Sequence, residues 1–187
     1  LNWELQPGEG AFYGPKIDFM ASDSLGREWQ VATIQLDVNL PQRFDLTYIS
    51  PEGRDENVVM IHAAIMGSIE RYMSILIEHY AGNFPVWLAP VQVKLLSVSE
   101  SHGEYCHSLA AEMKGKGIRV EVDTANDTVG NKIRKSTQEK VPYLLVIGDK
   151  EMNSEKLFVR ERGEREAKEW DREEFIESVI RMSKERK

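Results

Sequence analysis

At 187 residues, with 41% hydrophobic and 29% charged side chains, the chain has the size of one large or two small folded domains. Neither a membrane-spanning apolar run nor a signal peptide is legible, and the single Cys106 excludes internal disulfides and Cys-rich zinc modules, so a soluble cytoplasmic protein is expected. The net charge of −7 argues against a nucleic-acid surface spread over the whole chain, but residues 1–84 hold only 5 of the 24 basic and 12 of the 31 acidic side chains, so the remainder is neutral and has room for a local basic patch.

The opening LNWELQPGEG lacks Met and starts in mid-pattern, so the chain is expected to be part of a longer protein. Gly8 to Lys16 then packs three glycines, Phe12, Tyr13 and Lys16 into one loop that enters a strand. Glycines there permit a tight turn or close approach of a ligand, Lys16 suits a phosphate or carboxylate, and Tyr13 can donate a hydrogen bond. Because Lys16 follows Pro15 and leads into a strand, this is not a phosphate-binding P-loop. Strands are expected at Lys16–Met20 and Arg27–Leu36 around a turn at Ser22–Gly26, with Pro41 closing the region. Gln30 and Gln35 point to opposite faces of a regular strand, so only a bulge lets both face one site; a ligand or an internal hydrogen-bond network would satisfy them.

Phe44–Ile49 and Asn57–Ile61 flank Ser50-Pro51-Glu52-Gly53 and read as a hairpin. Val58–Arg71 is a β-branched run that enters a helix, expected over Ala64–Tyr80 from the spacing of Ile65, Ile69, Met73, Leu76 and Ile77. On such a helix Gly67 and Arg71 share one face, either at a helix crossing or where a flat group approaches the backbone beneath a guanidinium. His62 is a hydrogen-bonded core histidine or one ligand of a metal site; no other histidine stands at metal-ligand spacing from it. Ala81 to Pro85 is a cluster of helix breakers and the expected boundary between residues 1–82 and 83–187.

Beyond it, elements alternate. Strands are expected at Val91–Val98, Ile118–Val122, Tyr143–Gly148 and Lys156–Arg160, the third central in its sheet. Helices are expected after Ser101 (Tyr105, Leu109, Met113), at Val129–Glu139, and after Asp171 with Glu174 (Phe175, Val179, Met182). The charge-dense run Arg160–Arg172 reads as a solvated loop. Asn126, Lys132, Arg134, Lys135 and Lys140 gather around the short basic helix, with Arg160 and Arg162 at a strand end; the group suits either phosphate and base contacts or a solvated face. The alternation gives an α/β domain of about 100 residues after an antiparallel portion.

Taken together, GEGAFYGPKIDF, WQVATIQLDVNLP, VVMIHAAIMGSIER, FPVWLAPVQV and VPYLLVIGDKE, in this order, resemble the threonyl-tRNA synthetases over essentially the whole chain. The resemblance is to their C-terminal half. It implies an α/β (α+β) fold: the end of the antiparallel class II synthetase catalytic sheet at 1–82, then a mixed-sheet anticodon-binding domain at 83–187. The implied function is ATP-dependent activation of threonine and its transfer to tRNA-Thr, in a homodimeric full-length enzyme. The alternative is an anticodon-binding module or regulatory paralogue without ligase activity.

On this resemblance, Arg71 belongs to the third class II motif and contacts ATP, with Lys16 and Gln30 near the ATP or the acceptor end of tRNA. Arg71 and Lys16 are the catalytic candidates. Tyr13 and Gln35 line the threonine pocket. His62 is one of three ligands to Zn2+, Mg2+ accompanies ATP, and Asn126, Arg134, Glu151 and Arg160 read the anticodon. The other two zinc ligands and the second-motif arginine of the family lie upstream of this sequence. Lys140 and Ala63 stand where the family often carries Arg.

Overall fold

In the computed structural model, which describes residues 2–187, the chain divides into two units between His79 and Tyr80. The first contains β1 (Lys16–Ser22), β2 (Glu28–Asp37), the short helix α1 (Leu40–Arg43), β3 (Thr47–Ile49), β4 (Asp55–Asn57), β5 (Met60–Ile65) and α2 (Ile69–Tyr80). β1, β2 and β5 form an antiparallel sheet with β2 central, and β3 pairs with β4 as a separate hairpin. Asp23 shapes the β1–β2 turn by accepting from the backbone N–H of Leu25 and Arg27, the Arg27 guanidinium and the Trp29 indole.

A bulge decides which side chains of this sheet share a face. Phe19 pairs with Ala32 but Met20 pairs with Gln30, so Val31 is the extra residue on β2. The parity of β2 flips there. Gln30 joins Thr33 and Gln35 on the face that also carries Lys16, Asp18 and His62, the bulged alternative of the two that the sequence leaves open. The opposite face carries Ile17, Phe19, Ile34, Ile61 and Ile65, all 40% or more exposed. Among the described residues, every buried hydrophobic side chain of the core belongs to the second unit.

Three expected boundaries of this unit are wrong. The strand expected at Phe44–Ile49 is only Thr47–Ile49, because Phe44 closes α1. Asn57–Ile61 is not one strand: β4 ends at Asn57 and β5 begins at Met60 on a different partner. The helix starts at Ile69 rather than Ala64, because Ile65 still pairs with Ala32. Met66 (φ 68°) and Gly67 (φ 58°) make a left-handed turn between strand and helix, so Gly67 and Arg71 do not share a helix face. A Cβ on Gly67 would lie 3.3 Å from the Gln30 carbonyl. What approaches the Gly67 backbone is therefore the bulge itself.

The second unit contains β6 (Val93–Ser97), α3 (Gly103–Gly115), β7 (Val120–Asp123), α4 (Val129–Gln138), β8 (Tyr143–Ile147), α5 (Asp149–Met152), β9 (Lys156–Glu161), β10 (Lys168–Asp171) and α6 (Arg172–Lys184). Its sheet runs β10-β9-β8-β6-β7, parallel over β8, β6 and β7 and antiparallel at β9 and β10, with β8 central. Leu95, Leu145, Ile147 and Val159 pack with Leu109 and Met113 of α3 and Phe175, Ile176 and Val179 of α6. Asp171 caps α6 by accepting from the N–H of Glu173 and Glu174. The helix near residue 100 is entered through Ser99, which with His102 brackets a single 3-10 turn; Ser101 is not the cap. The run Arg160–Arg172 is not all loop, because Lys168–Asp171 pairs with Lys156–Val159.

Candidate functional site

The shared face of the first sheet lines an open cleft of about 470 Å³, bordered by Glu9, Gly10, Ala11, Lys16, Gln30, Thr33, Gln35, His62 and Ala64. Asp18 organises one end. It accepts from Lys16 Nζ (2.6 Å), Gln30 Nε2 (2.8 Å) and Thr33 Oγ1 (2.7 Å). The Lys16 ammonium, despite some burial, holds the Asp18 carboxyl below the ordinary carboxylate range, and Lys16 is raised in turn. At the other end Tyr13 Oη donates to Gln35 Oε1 at 3.1 Å, and the Tyr13 ring stands edge-on to the His62 imidazole at 6.4 Å.

Gly14 lets the entry loop lie on the sheet. A Cβ there would fall 2.1 Å from the Leu36 carbonyl oxygen. Leu36 N–H donates to Pro15 O and Val38 N–H to Tyr13 O, fixing Tyr13 and Lys16 on either side of the contact. Backbone packing by itself requires the glycine.

His62 is held by a residue that sequence reasoning missed. Asp37 is fully buried; its Oδ1 accepts the N–H of Asn39 and Leu40, and its Oδ2 lies 2.8 Å from His62 Nε2. Burial alone would raise the Asp37 carboxyl, but the Leu40 N–H, His62 and the Asn39 N–H outweigh it and hold it below the usual range. With Nε2 donating to the carboxylate, Nδ1 carries the free lone pair. A histidine oriented by a carboxylate in this way suits a metal ligand. Among the described residues no three His, Cys, Asp or Glu side chains are grouped to hold an ion, so His62 fits as a contributor to a zinc site and not as a whole one. Asp18 lies two residues from Lys16 on β1 and Asp37 two residues from Gln35 on β2, a period-two signal in both cases, but that Asp37 meets His62 depends on register with β5.

Arg71 stands on the first turn of α2, exposed and outside the residues lining the cleft. No hydrogen bond or ion pair engages its guanidinium among the described residues. Ser68 precedes the helix and receives the Arg71 N–H on its hydroxyl.

In the second unit the four expected anticodon residues do not line one pocket. Asn126 follows β7 and Glu151 follows β8, so both lie at the carboxyl edge of the parallel strands. Arg160 pairs with Leu144 near the opposite edge. There a cleft of about 500 Å³ is lined by Thr137 of α4, Val141, Leu144 and residues 160–165. Arg134 lies one turn before Thr137 on α4, between these ends. Asn126 and Arg134 are exposed, whereas Glu151 spends one carboxylate oxygen on the Gly148 N–H and Arg160 donates to the Arg165 carbonyl. Lys132, grouped with the basic side chains in the sequence, is 1% exposed and serves the fold.

The chain matches two family models: "tRNA synthetase class II core domain (G, H, P, S and T)" over residues 4–80 and "Anticodon binding domain" over 88–182. It is 49% identical over its full length to the threonine–tRNA ligase of Carboxydothermus hydrogenoformans, covering 30% of that protein, and 50% identical over 98% of its length to that of Acetivibrio thermocellus, covering 29%. The matches fall in the C-terminal part, so the chain spans about three-tenths of the length of these curated relatives. The RNA binding domain of threonyl-tRNA synthetase from Cryptosporidium parvum has a similar structure, with a TM-score of 0.84, 40% identity, and coverage of 97% of this chain and 46% of that one. No helix among the described residues is long and apolar enough to cross a membrane.

Proposed function

The chain belongs to the threonyl-tRNA synthetase family, and on that premise we propose that it supplies the end of the catalytic core and the anticodon-binding domain of a threonine–tRNA ligase. The observation that carries the reading is the bulge at Val31, which turns Gln30 onto the cleft face beside Lys16, Thr33, Gln35 and His62. One wall of the cleft thereby combines a cation, two amides, a hydroxyl and an oriented imidazole. That set suits a substrate with both an anionic phosphate and a polar amino acid.

In the reaction, the threonine carboxylate attacks the α-phosphorus of ATP to give threonyl-adenylate and pyrophosphate. The threonyl group then passes to the terminal ribose of tRNA-Thr. Lys16 and Arg71 neutralise phosphate charge, Gln30 positions the nucleotide, and Tyr13 with Gln35 holds threonine. Their contribution is placement and electrostatic stabilisation. Asp18 keeps Lys16 charged and aimed. His62, oriented by Asp37, offers Nδ1 to Zn2+, with the remaining ligands supplied from outside this sequence. When bound, the ion supplies Lewis acidity that separates threonine's hydroxyl from valine's methyl, a distinction that an apolar pocket makes poorly. Mg2+ enters with ATP. Asn126, Arg134, Glu151 and Arg160 contact the anticodon arm. The full-length protein acts as a cytoplasmic homodimer.

Threonine-dependent ATP–pyrophosphate exchange tests this reading. The full-length protein containing this chain exchanges, Arg71→Ala in it loses most of that rate, and the 187-residue chain alone gives none. Exchange by the isolated chain, or its absence from the full-length protein, overturns the proposal.

A further inference from the structure

We propose that Asp127 and Asn131 are positioning residues that aim Arg134 at the tRNA; the inference rests on reading Arg134 as an anticodon-arm contact. Asn131 sits in the first turn of α4, its N–H accepted by the Thr128 hydroxyl. Its amide Nδ2 donates to Asp127 Oδ2 at 2.5 Å. That bond fixes which way the amide faces and turns Oδ1 toward Arg134. Oδ1 then accepts both Nε (3.2 Å) and Nη2 (2.9 Å) of the guanidinium.

Asp127 is itself held on several sides. Its Oδ2 also receives Lys135 Nζ at 2.9 Å, and its Oδ1 receives the Thr128 N–H at 2.8 Å. The loop carrying it is anchored from beneath. Buried Lys132 Nζ donates to Ser97 O (2.8 Å), Ser97 Oγ (3.3 Å) and Asp123 O (3.3 Å), tying the ends of β6 and β7 together. Asp123 Oδ1 accepts the Ala125 N–H at 3.0 Å. Asn126 is therefore carried between two fixed points, and Arg134 is joined to the same network.

This arrangement selects a ligand geometry. Asn131 occupies the Nε–Nη2 edge of the exposed guanidinium and leaves Nη1 without a hydrogen bond among the described residues. The Nη1–Nη2 edge fits a phosphate or the O6/N7 edge of guanine in two parallel hydrogen bonds. Holding the long side chain in advance spares the rotamer freedom otherwise lost on binding, which corresponds to about two- to tenfold in affinity.

The test uses threonylation by the full-length protein. Asn131→Leu removes both polar contacts and installs a stronger helix former. It is expected to raise the KM for tRNA-Thr about two- to tenfold, from the same immobilisation cost, while threonine-dependent pyrophosphate exchange stays at the parental rate. Asp127→Ala removes the acceptor that orients the Asn131 amide and is expected to raise the KM over the same range; an unchanged KM overturns its positioning role. If Arg134→Ala raises the KM but Asn131→Leu does not, the proposal is overturned and the anticodon-arm reading stands. If Arg134→Ala leaves the KM unchanged, both fall. A rise in KM for Asn131→Leu with an equal loss of pyrophosphate exchange marks a general structural role and overturns the proposal as well.

Discussion

Gly14→Ala is the most discriminating perturbation of the cleft. An added Cβ would meet Leu36 O at 2.1 Å and Leu36 C at 2.9 Å, both backbone atoms that no side-chain rotation can remove. The entry loop must lift from β2, and the bonds from Leu36 N–H to Pro15 O (3.0 Å) and Val38 N–H to Tyr13 O (3.3 Å) open with it. At a net of about 1 kcal/mol each, their loss destabilises the docked loop by about 2 kcal/mol. That corresponds to roughly 30-fold in the open-to-closed ratio. Amide hydrogen exchange reads it directly: exchange at Leu36 and Val38 accelerates by about that factor in Gly14→Ala. Gly10→Ala is the control, since a Cβ there lies 3.6 Å from Gly14 O in ordinary contact and leaves exchange at both amides unchanged. Because Tyr13 and Lys16 flank the contact, the KM for threonine in the full-length protein rises with Gly14→Ala. Parental exchange at Leu36 and Val38 in Gly14→Ala, or equal acceleration in Gly10→Ala, would mean that the Gly14–Leu36 contact does not hold the loop on the sheet.

Gly67→Ala places a side chain at φ 58° and 3.3 Å from the Gln30 carbonyl, which costs about 1–2 kcal/mol and disturbs the bulge; the KM for ATP should rise, and an unchanged KM would mean that Gln30 does not position the nucleotide. Asp37→Asn weakens the carboxylate's hold on His62 and should lower zinc affinity of the full-length protein about 10–100-fold, measured by metal content after dialysis against a chelator, with retention equal to the parent as the contrary result. Asp23, whose carboxyl is pulled well below the carboxylate range chiefly by the Trp29 indole N–H, against some burial, and also by Arg27, gives the β1–β2 turn an acid limit. Because its folded pKa is depressed, its stabilisation is complete above the ordinary aspartate value of about 3.9 and is lost only as pH falls through the lower folded value. The Trp29 indole N–H resonance should therefore hold from neutral pH down to about pH 4; a shift centred near neutrality would contradict this.

Much of the second unit is legible in its sequence because each signal is local and mutually consistent. Tyr143–Ile147 is apolar over its whole length and becomes the central strand, and Asp171 caps α6 where the Asp171–Glu174 spacing places a start. The missed strand Lys168–Asp171 has one apolar residue, Trp170, among charged ones, so its composition hides an edge strand whose pairing is all backbone. The misplaced start of α2 has a different origin. Ile65 and Ile69 keep helical spacing across a left-handed turn, and periodicity cannot see that Met66 and Gly67 break the backbone. The cleft residues themselves were recognisable one by one. Their assembly was not, because it depends on one inserted residue, Val31, that has the composition of an ordinary strand position. Asp37 escaped for the same reason: its partner is set by pairing between Gln35 and His62, far apart in the chain.

On the proposal made above, this chain carries the anticodon-reading and nucleotide-facing parts of a threonine–tRNA ligase. Charging of tRNA by the full-length protein, with threonine and ATP, tests it most directly when tRNA-Thr is compared with the same tRNA carrying an altered anticodon, for the parent and for Arg134→Ala. Efficient threonylation of tRNA-Thr by the parent is expected, with a marked loss on altering the anticodon and a smaller loss on altering it in Arg134→Ala. Threonylation indifferent to the anticodon in both proteins, or no threonylation at all, would contradict it.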